Sequence, residues 1–188
     1  MPEHSLKPLC PLGHAAPETV TVGPVTVTEV VTTALASVAT RRGREDDVAR
    51  AAAGAGIPLP LPGAAQDGAP YGAFWLGPDQ WMVEAPFDSH EDIAAILRPV
   101  FGDAASITEQ TDAWVRLDVT GPDLPALFER LCNFDLRRHG PGSATRTMME
   151  HLGCYMVVRA TDTVSVIGPR SSAHSLHHAL ITAANSAF

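Results

Sequence analysis

Residues 114–120 alternate with a period of two. Trp114, Arg116 and Asp118 fall on one side, and Val115, Leu117 and Val119 on the other, which predicts a strand with two unlike faces. Thr120-Gly121 breaks the pattern. Pro122 and Asp123 then suit the first turn of a helix, where backbone N–H groups lack partners. Leu124, Leu127, Phe128 and Leu131 recur at offsets of three and four, one apolar helical stripe. A strand feeding directly into an amphipathic helix is half of a packed layer of sheet and helix.

Similar patterns run through the rest of the chain. Val20 to Ala39 is rich in Val and Thr and predicts strand, with a turn at Gly23-Pro24. Glu45 to Ala53 predicts a short helix with three acidic residues in its first turn. Residues 54–72 have no period and predict a long loop. AFWLGPDQWMVEAP predicts two strands around a Gly-Pro-Asp turn, and Asp88 an N-cap for a helix striped by Ile93, Ile96, Leu97 and Val100. Thr108–Val119 predicts strand, Thr145–Leu152 and Tyr155–Ala160 two strands flanking Gly153, and Thr163–Ile167 another. Ser171 and Ser172 suit the cap of a last helix striped by Leu176, Ala179, Leu180 and Ala183.

DQWMVEAP at 79–86 and DTVSVIGP at 162–169 share a turn Asp, an apolar strand and a closing Pro, each followed by Ser and a helix. The halves therefore read as related units. The expected fold class is α+β: a single domain over 19–188 made of two β-α-β-β-α-type lobes, about 19–108 and 109–188, in a ferredoxin-like layout. Residues 1–18, with prolines at 2, 8, 11 and 17, predict an extended N-terminal arm.

Composition narrows the function. With 45% hydrophobic and 18% charged residues, 188 residues suffice for a real core. A net charge of −8 argues against nucleic-acid binding, and the basic clusters Arg41-Arg42-Gly43-Arg44 and Arg137-Arg138-His139 read as solvated loops. No apolar window is long enough to span a bilayer and no secretory signal is visible, so the expected location is cytoplasmic. Cys10, Cys132 and Cys154 match neither a zinc spacing nor a disulfide framework.

The residues predict no catalytic group and no metal site. GxGxxG and GxxxxGK[ST] loops are absent. His174 and His178 could share a helix face, but no acidic residue joins them, and Ser171 and Ser172 fit capping. Glu150 and His151, placed on a strand, would point to opposite faces. Trp75, Trp81 and Trp114 read as core, or as interface anchors. The apolar residues of the arm (Leu6, Leu9 and Leu12) could lie on the chain's own body or on a partner. Leu59 and Leu61, alternating with prolines, read as a docking strand. All five are candidate interface residues.

The series VTGPD, LCNFDL, TRTMMEHL and SVIGPRSS resembles the γ subunit of heterotetrameric sarcosine oxidase and, more distantly, the folate-binding domain of the glycine-cleavage T-protein. The resemblance runs from about Lys7 to the C-terminus and is dense after Thr108. It implies an accessory, non-catalytic subunit partnered by α, β and δ subunits. Those partners would carry FAD, FMN, NAD and tetrahydrofolate, and no cofactor is assigned to this chain. The complex would demethylate sarcosine oxidatively to glycine, pass the one-carbon unit to tetrahydrofolate and release hydrogen peroxide. The resemblance aligns Asp135 with an acidic T-protein residue linked to folate, making it the cofactor-binding candidate. The residues themselves favour a structural role for it, capping or pairing with Arg137 or Arg138. The alternative is a stand-alone, folate-binding aminomethyltransferase-like protein.

Overall fold

A computed structural model describes residues 7–188. There the Val/Thr run is three strands rather than two: β1 (Thr19–Val22), β2 (Val25–Val30) and β3 (Thr33–Thr40). The hairpin turn at Gly23-Pro24 lies where the sequence predicts it. The break at Val31-Thr32 does not, because no Gly, Pro or Asn marks it; the chain bends there to pass from one sheet to another.

The later strands are β4 (Ala65–Gln66), β5 (Gly72–Gly77), β6 (Gln80–Pro86), β7 (Ala105–Glu109), β8 (Trp114–Thr120), β9 (Ala144–Met149), β10 (Leu152–Ala160) and β11 (Thr163–Pro169). All neighbours pair antiparallel, in a six-stranded sheet ordered β1-β2-β8-β11-β10-β9 and a five-stranded sheet ordered β4-β5-β6-β3-β7. The helices are α1 (Glu45–Ala55), a single turn α2 (Phe87–His90), α3 (Ile93–Phe101), α4 (Leu124–Phe128) and α5 (Ala173–Ala187).

The molecule is a mixed α and β fold with two related lobes. In one, β3 leads to α1 and returns through β5 and β6 to α3. In the other, β8 leads to α4 and returns through β10 and β11 to α5. The repeated segments are β6 and β11, at matching places: Pro86 pairs with Thr33 of β3, and Pro169 with Trp114 of β8. Each proline ends its strand and opens a helical turn. One boundary differs from the expected one. Residues 19–30, assigned to the first lobe, join the sheet of the second: β2 hydrogen-bonds to β8, with β1 on its outer edge, and takes beside β8 the place that β7 takes beside β3.

Strand alternation produces the layers. Ala34, Ala36, Val38, Ala73, Val83 and Ala85 meet α1 and α3 through Val48, Ala52, Ile93 and Leu97. Val115, Leu117, Val119, Met156 and Val166 meet α4 and α5 through Leu124, Leu127, Phe128, Leu176 and Leu180. Between the sheets lies a thinner layer of Leu35, Phe74, Met82, Ala144, Val157 and Ile167. Two glycines permit close approaches. A Cβ on Gly121 would sit 2.5 Å from the Pro24 carbonyl oxygen, and one on Gly168 would sit 2.6 Å from Leu176 Cδ2.

Several local expectations need correction. Asp92, not Asp88, caps α3, accepting from the Ala95 N–H at 3.0 Å, because Asp88 is spent inside the preceding helical turn. Thr108–Val119 is split by a 3-10 turn at Thr111–Ala113, which carries the chain between sheets. The β9–β10 hairpin turns at Glu150-His151, not Gly153, and both residues have positive φ (46° and 68°). A two-residue hairpin favours such angles for strand twist, though Glu and His adopt them with strain. α4 is only five residues long; Asp123 enters it at φ 51° without a side-chain cap. Ser172 precedes α5 without capping it through its side chain.

Candidate functional site

The chemistry-bearing residues converge between the two sheets. On β8, Arg116 and Asp118 are two apart and therefore share a face, turned away from the helices. Arg116 grips Asp118 with two bonds, Nε to Oδ1 at 2.8 Å and Nη2 to Oδ2 at 2.9 Å. From β10, Arg159 makes a second fork to Glu84 of β6, Nη1 and Nη2 each donating at 2.8 Å. Arg159 Nη1 also donates to Asp67 at 2.7 Å, and its Nε to Ser165 Oγ at 3.0 Å. Ser165 in turn donates to Asp118 at 2.7 Å. Arg116 Nη1 closes the circuit, donating to Thr33 Oγ1 at 3.3 Å and lying 3.7 Å from Glu84.

This network joins β8, β10 and β11 of one sheet to β3 and β6 of the other. Its centre is shielded: the Glu84 side chain is 8% exposed and that of Arg159 11%, whereas Asp67 at the rim is 66% exposed. Burial works against the charge on Arg159, but Glu84 and then Asp67 outweigh it and raise its pKa above the ordinary guanidinium value. Fork geometry of this kind is the strong form of a charge-assisted hydrogen bond. Ser165 is fully buried, with its hydroxyl donating to one partner and accepting from another, so it is not free to act as a nucleophile.

The network floors a cleft of about 620 Å³, lined also by Thr32, Gly68, Pro70, Phe87 and Asp88. A second cavity of about 270 Å³ adjoins it at Thr33, Phe87 and Arg116, and is lined mainly by Pro8, Leu9, Val30, Leu35, Trp114 and Ile167. Folate, implied by the sequence resemblance, carries an anionic glutamate tail that calls for unpaired cations. Both arginines here already hold carboxylates, and Asp67 adds a third negative charge. The cleft does not fit that tail.

Asp135 stands outside the cleft. Its carboxylate accepts from the Arg137 backbone N–H at 3.0 Å and pairs with Arg138 Nε at 3.3 Å, and its carbonyl oxygen takes the Nδ1 proton of His139 at 2.8 Å. It orders a surface loop. Among the described residues, no group of three or more His, Cys, Asp or Glu side chains is placed to hold a metal. The thiols of Cys132 and Cys154 lie against the core, and burial pushes the Cys154 pKa up to about 11.

The interface candidates separate. Leu6 lies outside the described residues. Leu12, predicted as a possible contact, is 1% exposed and belongs to the core beside α5, so that reading is corrected. Glu29, itself buried, draws the arm down by accepting from the Leu12 N–H at 2.8 Å and the Glu18 N–H at 3.1 Å. Leu9 remains half exposed, its carbonyl held by Arg170 at 2.7 Å. Leu59 packs partly on the α1–α3 core, while Leu61 is 78% exposed. Trp81 steadies this loop by donating to the Pro60 carbonyl at 2.8 Å, and Trp114 donates to Gln110 at 3.0 Å.

Sequence reasoning missed the network and the Glu29 clasp. A signal was present: Glu29, Glu84, Arg116, Asp118 and Arg159 are charged residues inside otherwise apolar or Val/Thr strands. Such positions are rarely buried without partners.

Two face-to-face antiparallel sheets, each backed by helices, define a T-protein-like fold. Among solved structures, the chain is similar to the heterotetrameric sarcosine oxidase from Corynebacterium sp. U-96, solved in complex with pyrrole 2-carboxylate. The TM-score is 0.75 at 21% identity, covering 90% of this chain and 88% of that one. It is also similar to the glycine cleavage system aminomethyltransferase T from Bartonella henselae, with a TM-score of 0.60 at 14% identity. That alignment covers 86% of this chain but 46% of the other, so the chain spans less than half of the aminomethyltransferase. No family model and no curated protein matches the sequence. At these identities the likeness shows the fold. No helix of the described residues is long and apolar enough to cross a membrane.

Proposed function

We propose that this chain is an accessory subunit, of γ type, in a heterotetrameric oxidase acting on sarcosine or a related N-methyl amine. One observation carries this reading: the match to a chain of the Corynebacterium complex runs nearly end to end in both directions, 90% and 88%. The cleft is consistent with it, since its charged groups neutralise one another and bind the lobes together. In this reading the complex oxidises the N-methyl group, passes the one-carbon unit to tetrahydrofolate and releases hydrogen peroxide. FAD, FMN, NAD and tetrahydrofolate sit on the α, β and δ partners, in the cytoplasm. This chain shapes and braces the assembly, with half-exposed Leu9 and exposed Leu61 as contacts.

Co-purification tests it. The tagged chain, drawn from its native host, should elute with larger subunits in fixed ratio and a yellow flavin spectrum that sarcosine bleaches. A colourless chain eluting alone would overturn the reading. If that lone chain bound tetrahydrofolate and lost binding in Asp135→Asn, the aminomethyltransferase-like alternative would replace it.

A further inference from the structure

The helix-backed core of the second lobe is open at one end. A cavity of about 270 Å³ lies under the loop 136–141, walled by Leu124, Leu136, Val158 and Val164 and rimmed by Arg137 and Arg138. Leu124, Val158 and Val164 are buried core residues, so the interior of the cavity is aliphatic. The rim is the opposite. The side chains of Arg137 and Arg138 are 55% and 84% exposed and, among the described residues, pair with Glu129 and Asp135 at the surface. Exposed pairs of this kind exchange readily with water and other anions. The loop beneath them is fixed: Asp135 ties its start to Arg137 and His139, and the His139 ring lies on Phe134 with centroids 4.3 Å apart.

We propose that this cavity binds a small amphiphilic carboxylate, its apolar body against Leu124, Val158 and Val164 and its acid group against Arg137 and Arg138. Size selects the class. At about 270 Å³ the space falls at the lower limit of ligand pockets, typically ~300–1,000 Å³, which suits one ring or one short branched chain. Charge selects the acid. The chain carries a net charge of −8, yet the cations at this mouth are held only by weak surface pairs. In the inter-sheet cleft, by contrast, Arg159 is committed to buried Glu84 and Arg116 to partly buried Asp118. The inference stands independently of the oxidase reading, since it concerns a different face of the fold.

Phenylacetate is the probe and neutral phenylacetamide, of the same shape, its control, both titrated into the full chain while methyl resonances of Leu124, Val158 and Val164 are followed by NMR. Phenylacetate should shift these methyls saturably in the millimolar range. The amide, and phenylacetate with Arg137→Ala/Arg138→Ala, should bind roughly fivefold more weakly or worse, the loss expected when exposed charge-assisted contacts are removed. Both arginines are exposed, so the double variant should keep the parent's unfolding midpoint. Absence of saturable shifts would overturn the proposal. So would equal affinity for acid and amide in the parent chain, a comparison that needs no variant.

Discussion

The two faces of β8 solve the same problem with different chemistry. Toward α4 and α5, Val115, Leu117 and Val119 are fully buried among aliphatic and aromatic side chains. Toward the other sheet, Arg116 and Asp118 enter a circuit of forked ion pairs. The apolar face stabilises by area removed from water and tolerates some rearrangement of its neighbours. An ionic face contributes little net stability, because removing charges from water costs nearly what pairing returns. Its contribution is geometric: each fork fixes distance and orientation between strands of different sheets, and so sets how the lobes meet.

Breaking one partner of the circuit should give the largest effect. Glu84→Ala would leave Arg159 shielded with only rim Asp67 to balance it, and would deprive Arg116 of a neighbour 3.7 Å away. Losing one half of a buried pair costs about 3–5 kcal/mol. Urea unfolding should show that loss; a loss under about 1 kcal/mol would mean the pair is as weak as a surface one. On the opposite face, Leu117→Ala should cost about 3 kcal/mol through lost burial and the cavity left behind. A smaller third effect sharpens the contrast. Replacing both fork partners, Glu84→Leu with Arg159→Met, should cost only about 1 kcal/mol, because no charge is stranded. If the double variant were as unstable as Glu84→Ala, the circuit would be a source of net stability and not of geometry.

Much of what rested on local periodicity was readable from the sequence. The alternation at 114–120 correctly separated the two faces of β8, and the repeated Asp–strand–Pro segments correctly paired β6 with β11. The stripe of α5 was also legible, whereas that of α3 was read only in part: Ile93 and Leu97 are buried, but Ile96 is exposed and Ala94 and Phe101 complete the buried face. Some failures were local, such as the Asp88 cap and the Gly153 turn; the larger ones depended on tertiary pairing. Val31-Thr32 carries no breaker, and only the division of labour between two sheets bends the chain there. The placement of β2 beside β8 is a long-range choice that composition does not encode. The ion circuit was hidden for the same reason. Glu84 and Arg159 are 75 residues apart, and nothing near either names the other. Leu12 read as a possible partner contact because its prolines forbid a helix, but the buried Glu29 that fixes it lies 17 residues on.

The smallest effect concerns the arm and α5, on the apolar side of the sheet. His177 Nε2 is buried without a hydrogen-bond partner among the described residues. Burial lowers the His177 pKa below its usual 6.5; Glu18 and Glu29 on the arm side pull it up, and His174 and His178 on its own helix push it down, with the net direction downward. The unfolded chain therefore binds more protons than the folded one just below pH 6.5. Stability is complete above that pH and falls as pH drops from it toward the folded-state pKa, below which this contribution is flat. Carboxylates held below their usual range, such as Asp47, stay ionised across this window and do not mask it. Urea midpoints measured at about pH 7.5 and 5.5 should therefore fall more in the parent chain than in His177→Gln. An equal fall in both would assign the acid sensitivity to groups other than His177.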